Sequence, residues 1–122
     1  MHNKINNDSA YALLCHEKFK RNHAQVTVGY VNHVAVGRVA VAKLYYRGNH
    51  IASHFSAPVA QLVVMDAGYQ TVTTKRYLNA VLSMFDKGYI FQKDWEWYIT
   101  SPLSDNPEIW AGRASFNIHY RR

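Results

Sequence analysis

The 122-residue chain is 48% hydrophobic and 14% aromatic, which provides for one packed core but is too short for two ordinary domains. No apolar run reaches the roughly 20 residues a membrane-spanning helix needs, and the opening Met1-His2-Asn3-Lys4-Ile5-Asn6-Asn7-Asp8 lacks the apolar core of a secretory signal. The net charge is +6 but uneven: residues 1–60 carry seven Lys/Arg against two acids, whereas residues 86–108 carry five acids against Lys87 and Lys93, a distribution whose basic part can steer a polyanion.

In chain order, residues 1–7 read as a polar, flexible tail. Asp8 or Ser9 then caps a helix to about Arg21, with Tyr11, Leu14, Cys15 and Phe19 on its apolar side. A single cysteine excludes an internal disulfide, and its position predicts a buried, structural thiol. From Gln25 to Phe55 the apolar period changes to two. Gly37 interrupts it as a turn or bulge, and Gly48-Asn49 suits a two-residue hairpin turn. Gln61 to Met65 is a short strand, followed by the Asp66-Ala67-Gly68 turn and a second helix with Leu78, Val81, Leu82 and Phe85 at helical spacing. Lys87-Gly88 ends that helix.

Tyr89-Ile90-Phe91-Gln92 then pairs through Lys93-Asp94 with Trp95 to Thr100. Ser101 to Pro107 reads as a loop, and the last strand shows Trp110, Ala114, Phe116, Ile118 and Tyr120 on one face. The three tryptophans are expected inside and Tyr98 at the surface. The order predicts a single α+β domain over residues 1–122, with an antiparallel sheet of about five or six strands packed with two α-helices.

The stretch from Gly68 to Asn79 carries the clearest functional signal. A threonine cap, Thr73 or Thr74, with free N–H groups behind it suits an anion, and Lys75 and Arg76 place two cations where the helix dipole disfavours them. The plainer alternative is a capped helix with two solvated cations. Tyr45, Tyr46 and Arg47 could stack and pair with unpaired bases. His50 and His54 are four apart on a strand and have no cysteine or acidic companions, so no zinc site is expected. The acids Asp66, Asp86, Asp94 and Asp105 read as turn residues. No phosphate-binding loop or nucleophile elbow is present, so neither an enzyme nor a cofactor is predicted.

Three segments together give the chain a resemblance. They are Tyr46-Arg47-Gly48-Asn49-His50-Ile51-Ala52, the Gly68 to Asn79 stretch, and Phe91-Gln92-Lys93-Asp94-Trp95-Glu96-Trp97-Tyr98. Over about residues 43–99 the sequence resembles a family of small bacteriophage proteins with a Gly-Tyr-x-Thr-x-Thr-Thr-Lys-x-x-Leu-Asn motif. The resemblance supplies no activity or site residues. It implies a phage accessory protein, including one that neutralises a host defence, and hence the cytoplasm of an infected bacterium.

The leading expectation is a non-enzymatic protein that binds nucleic acid or a nucleoprotein complex. Its contacts would be Arg38, Lys43, Tyr45, Arg47, Thr73, Thr74, Lys75 and Arg76, with Arg121 and Arg122 as a basic tail. The alternatives are an anti-CRISPR-like inhibitor that occludes an acidic protein surface, and a subunit of a phage oligomer.

Overall fold

Nine strands form two antiparallel sheets in the computed structural model, which describes residues 4–102 and 104–118. The elements are α1 (Lys4–Cys15), β1 (Phe19–Arg21), β2 (Ala24–His33), β3 (Gly37–Tyr46), β4 (Asn49–Phe55), β5 (Gln61–Met65), α2 (Val72–Met84), β6 (Ile90–Lys93), β7 (Glu96–Ser101), β8 (Ser104–Ile109) and β9 (Arg113–Asn117). The large sheet runs β1-β2-β3-β4-β5-β9 and the small one β6-β7-β8. The expected α+β domain with two helices is therefore present, and its strands are divided between two sheets.

Both helices cover one face of the large sheet and pack against each other. The core unites Ala10 and Leu13 of α1, Val26, Ala42, Leu44, Ala52, Leu62 and Val64 of the sheet, and Leu78, Val81 and Leu82 of α2. Each buried Leu or Val contributes about 1.5–3 kcal/mol of transfer free energy. Alternation then sends Lys43, Tyr45, Ser53 and Val63 to the opposite face.

The first helix differs from its expected span and phase. It starts at Lys4, so residues 4–7 are helical, and it buries Asn6, Ser9, Ala10 and Leu13 while Tyr11 and Cys15 are exposed. Small residues win the inward positions because α1 must lie beside α2, and Ser9 satisfies its hydroxyl by donating to the Asn6 carbonyl (2.9 Å). Asp8 is a mid-helix partner of Lys4 (3.4 Å) and Arg21 (2.8 Å) rather than a cap. His16, with φ +54°, stops the helix, and the Glu17 N–H donates to the Ala12 carbonyl (2.9 Å). Phe19–Arg21 is thereby freed to pair with β2.

The turns are also displaced from the expected positions. The β3–β4 turn is Arg47-Gly48, with φ +51° and +79°, and Asn49 already belongs to β4. Gly37, with φ +81°, closes the β2–β3 turn, so Val34 is a tip residue. Helix α2 ends before Gly88: Asp86 takes φ +58°, and the Lys87 N–H donates to the Leu82 carbonyl (2.8 Å). Residues 104–107, expected as loop, belong to β8, and Pro107 is tolerated there because β8 pairs only with β7. The last strand is shorter than expected, since Gly112 at φ +90° separates Trp110 from β9.

Of the three tryptophans, Trp97 and Trp110 are buried as expected, whereas Trp95 is 92% exposed at the β6–β7 turn. Asp94 and Trp95 occupy both central positions of that turn with φ +52° and +68°, which turns the Trp95 side chain out of the sheet's alternation. Tyr98 is half-buried.

The buried His54 hydrogen-bonds through Nδ1 with the Leu13 carbonyl (3.1 Å), and His16 packs edge-on against its ring at 4.5 Å. Burial holds both imidazoles below their ordinary pKa; the Leu13 carbonyl opposes this at His54, and His16 depresses it further. The depressed folded-state pKa makes the neutral form the stable one. This stability is present above the unfolded value near 6.5 and is lost as pH falls towards the folded values. The Tm is expected to drop on acidification from pH 7.5 to 5, with a shallower slope for His16→Asn; an equal slope in the two proteins would exclude His16 as a source.

Candidate functional site

None of the six strands of the large sheet contains an aspartate or glutamate. The whole run from Lys18 to Met65 is acid-free and contains Lys18, Lys20, Arg21, Arg38, Lys43 and Arg47. Because the helices occupy one face, these charges are concentrated on the other face, the edges and the turns.

Register places the side chains of the open face in lateral rows. Lys20 lies opposite Gln25, Gln25 opposite Tyr45, and Tyr45 opposite His50. The adjacent row runs Thr27, Lys43, Ser53, Val63 and Ser115, of which Ser53 and Val63 are buried. Lys20, Gln25 and Arg113 are exposed, while Lys43, Tyr45 and His50 are half-buried. The Tyr45 and His50 rings lie 5.2 Å apart, and His50 Nε2 sits 2.7 Å from Ser53 Oγ and 3.0 Å from the Ala52 carbonyl. Burial lowers the His50 pKa against the opposing effect of the Ala52 carbonyl, and the cations of Lys43 and Arg113 lower it further. That electrostatic coupling places His50 within the field of both cations. The patch offers positive charge, hydrogen-bond donors and an aromatic ring, and lacks a group that would repel phosphate.

The expected contacts do not form one site. Lys43 and Tyr45 share the open face, with Lys20, Gln25, His50 and Arg113 as neighbours that local motif reading missed; the acid-free run was the available signal for the first three, and Arg113 joins them only through the pairing of β9 with β5. Arg47, Thr73 and Arg76 belong to the helix side. There Arg47 Nε donates to Tyr46 Oη (3.1 Å), Tyr46 stacks on Tyr77 at 4.7 Å, and Thr73 and Arg76 line a shallow cleft of about 400 Å³ with Lys4 and His23. Lys75 turns away from Arg76, its Nζ 5.8 Å from the Trp97 ring centre. Arg38 lies over Tyr30 at 4.0 Å, near the β2–β3 turn. Arg121 and Arg122 lie outside the described residues.

The threonine-rich entry has a structural use. Thr71, not Thr73 or Thr74, is the cap: its Oγ1 accepts from the Thr74 N–H (3.1 Å) and donates to Thr74 Oγ1 (3.0 Å). Thr74 is 2% exposed and therefore has no accessible hydroxyl. Asp66 is more than a turn residue. Buried, it accepts from the Gly68 N–H (2.8 Å), Gln70 Nε2 (3.2 Å) and Trp110 Nε1 (2.8 Å). Asn79 plays a comparable part, pairing its side-chain amide with both backbone groups of Ile90 (2.6 and 2.9 Å) and so fastening the small sheet to α2.

Among the described residues no group of three His, Cys, Asp or Glu is placed to hold a metal ion, and no helix is long and apolar enough to cross a membrane. These features define a small single-domain α+β protein with an acid-free, basic sheet face opposite its helices, charged around a buried centre of Val41, Ser53 and Val63. The chain belongs to the Kyanoviridae Gp96 protein family, a phage protein family, whose model matches residues 2–118. Nothing matches the chain among curated proteins or among solved structures.

Proposed function

We propose that the protein is a non-enzymatic phage accessory protein whose open sheet face binds nucleic acid or a nucleoprotein complex. The observation that carries this reading is the absence of acids from every strand of the large sheet, combined with Lys20, Lys43 and Arg113 around the Tyr45–His50 ring pair. Cations neutralise phosphates and release counterions, and the partly exposed Tyr45 ring offers a stacking surface to an unpaired base. A phosphate also relieves the repulsion that disfavours protonated His50, so binding takes up a proton and tightens as pH falls.

The test is fluorescence anisotropy with random single-stranded DNA, duplex DNA and RNA across a salt series. Each lost phosphate contact among Lys20→Ala, Lys43→Ala and Arg113→Ala is expected to weaken binding and to flatten the log–log salt slope by about 0.7–0.9. Tyr45→Ala is expected to cost at least about fivefold on single strands, from roughly 1 kcal/mol or more of stacking. A triple alanine variant with the parent's affinity and salt slope on every probe would remove the assignment.

A further inference from the structure

The outer face of the small sheet has a different chemistry from the basic face. Pairing sets Phe91 opposite Tyr98 and Tyr98 opposite Ile109. The rings of Tyr89 and Phe91 are 5.8 Å apart, and those of Phe91 and Tyr98 are 5.6 Å apart. Pro107 joins Phe91 and Tyr98 along a shallow groove of about 330 Å³ that also touches Lys93 and Asp94. Tyr89 and Ile109 are 54% and 62% exposed, and Phe91 and Tyr98 between them are partly exposed.

Trp95 stands at the end of the same sheet, 92% exposed and at φ +68°. Glycine or asparagine would fit that turn position without strain, whereas a bulky residue there is uncommon. Exposed aromatics can stack bases, but Asp94 and Glu96 flank this surface and repel phosphate. The combination instead suits an apolar partner that carries positive charge.

Such a partner exists on the same chain. Every residue from Asn32 to Arg38 in the β2–β3 tip is exposed, with Val34 at 104% and Val36 at 45%. β3 pairs with β4 only from Val41 onward, so the tip is a two-stranded ribbon beyond the body of the sheet. It bears Arg38 and no acid. We propose that the small-sheet face of one molecule receives the β2–β3 tip of a second copy of this chain. The two patches are unlike, so the contact is heterologous and propagates head to tail into a ring or filament.

The inference is independent of nucleic-acid binding, since Lys20, Lys43 and Arg113 lie in neither patch. Sedimentation and light scattering test it on the parent, Trp95→Asn, and a Val34→Ser, Val36→Ser double variant. The parent's mass is expected to rise with concentration to multiples of 14.1 kDa, while each variant alone remains monomeric. An equimolar mixture of the two variants retains one intact pair of patches and is expected to form a dimer that grows no further. Trp95→Asn should also raise Tm by removing the positive-φ tryptophan, which separates lost assembly from misfolding. A parent that is monomeric at its highest soluble concentration would overturn the proposal. So would a mixture that stays monomeric while the parent associates, because like patches would then be pairing.

Discussion

Replacing Gly88 with alanine is expected to destabilise the domain by more than about 4 kcal/mol and to lower Tm by roughly 15 °C or more. Gly88 has φ +105°, and a Cβ there would be driven into the Thr100 carbonyl, with Ser101 Cα only 3.2 Å away. Both neighbours are backbone atoms and cannot rotate aside. Local hydrogen bonds also hold the obstacle in place. The Thr100 N–H donates to the Tyr89 carbonyl (2.9 Å), and the Tyr89 N–H donates to Thr100 Oγ1 (3.2 Å). Relief therefore requires breaking the entry to β6, which carries the core residue Ile90. Thermal and urea unfolding provide the measurement, and a Tm within about 3 °C of the parent, less than 1 kcal/mol, would contradict the close approach. Gly48, where an added Cβ meets nothing within 4 Å, is the control: its alanine variant is expected to show only the smaller cost of positive φ.

The second large effect is expected at Asp66→Ala, at roughly 2–4 kcal/mol, because the buried Trp110 Nε1–H is left an orphan at about 1–3 kcal/mol and the more exposed Gly68 and Gln70 donors lose the acceptor that orders the turn. The Asp66 carboxyl joins the β5–α2 turn, through Gly68 and Gln70, to Trp110 in the connection between the two sheets. The Asp66 N–H also donates to the Gly112 carbonyl (3.0 Å). Trp110→Phe keeps most of the buried ring but removes the Nε1 donor, so it is expected to cost less than Asp66→Ala. The double variant should be less destabilised than the sum of the two single changes, with a coupling of about 0.5–3 kcal/mol. Strict additivity would show that the 2.8 Å contact contributes nothing of its own.

These positions mark where local sequence reading reaches its end. The apolar pattern of Leu78, Val81, Leu82 and Phe85 specifies α2 and its buried side because all four residues fall on one helical stripe. The alternation through β2 and β3 and the short apolar run of β5 likewise specify the strands. α1 was legible as a helix but not in phase: its inward residues are small, and their burial follows from the nearness of α2 rather than from their own hydrophobicity. Asp66 and Asn79 read as a turn residue and a helix residue. Their partners, Trp110 and Ile90, lie 44 and 11 positions away.

The candidate site divides in the same way. Lys43 and Tyr45 were legible as a charged and an aromatic residue on one strand face, two positions apart. Lys20, His50 and Arg113 join them only through the pairing of separate strands. Thr74 looked available as a hydroxyl but is buried under the Thr71 cap, and adjacent Lys75 and Arg76 diverge because neighbouring helix positions point about 100° apart. By itself the sequence determined the composition of the sheet, the absence of acid from its strands, the second helix and the hairpins, since each follows from residue type and short-range period. The tertiary structure alone decided which face stayed open, which strands lay side by side and where Trp95 pointed, because register, helix docking and turn geometry depend on contacts between distant segments.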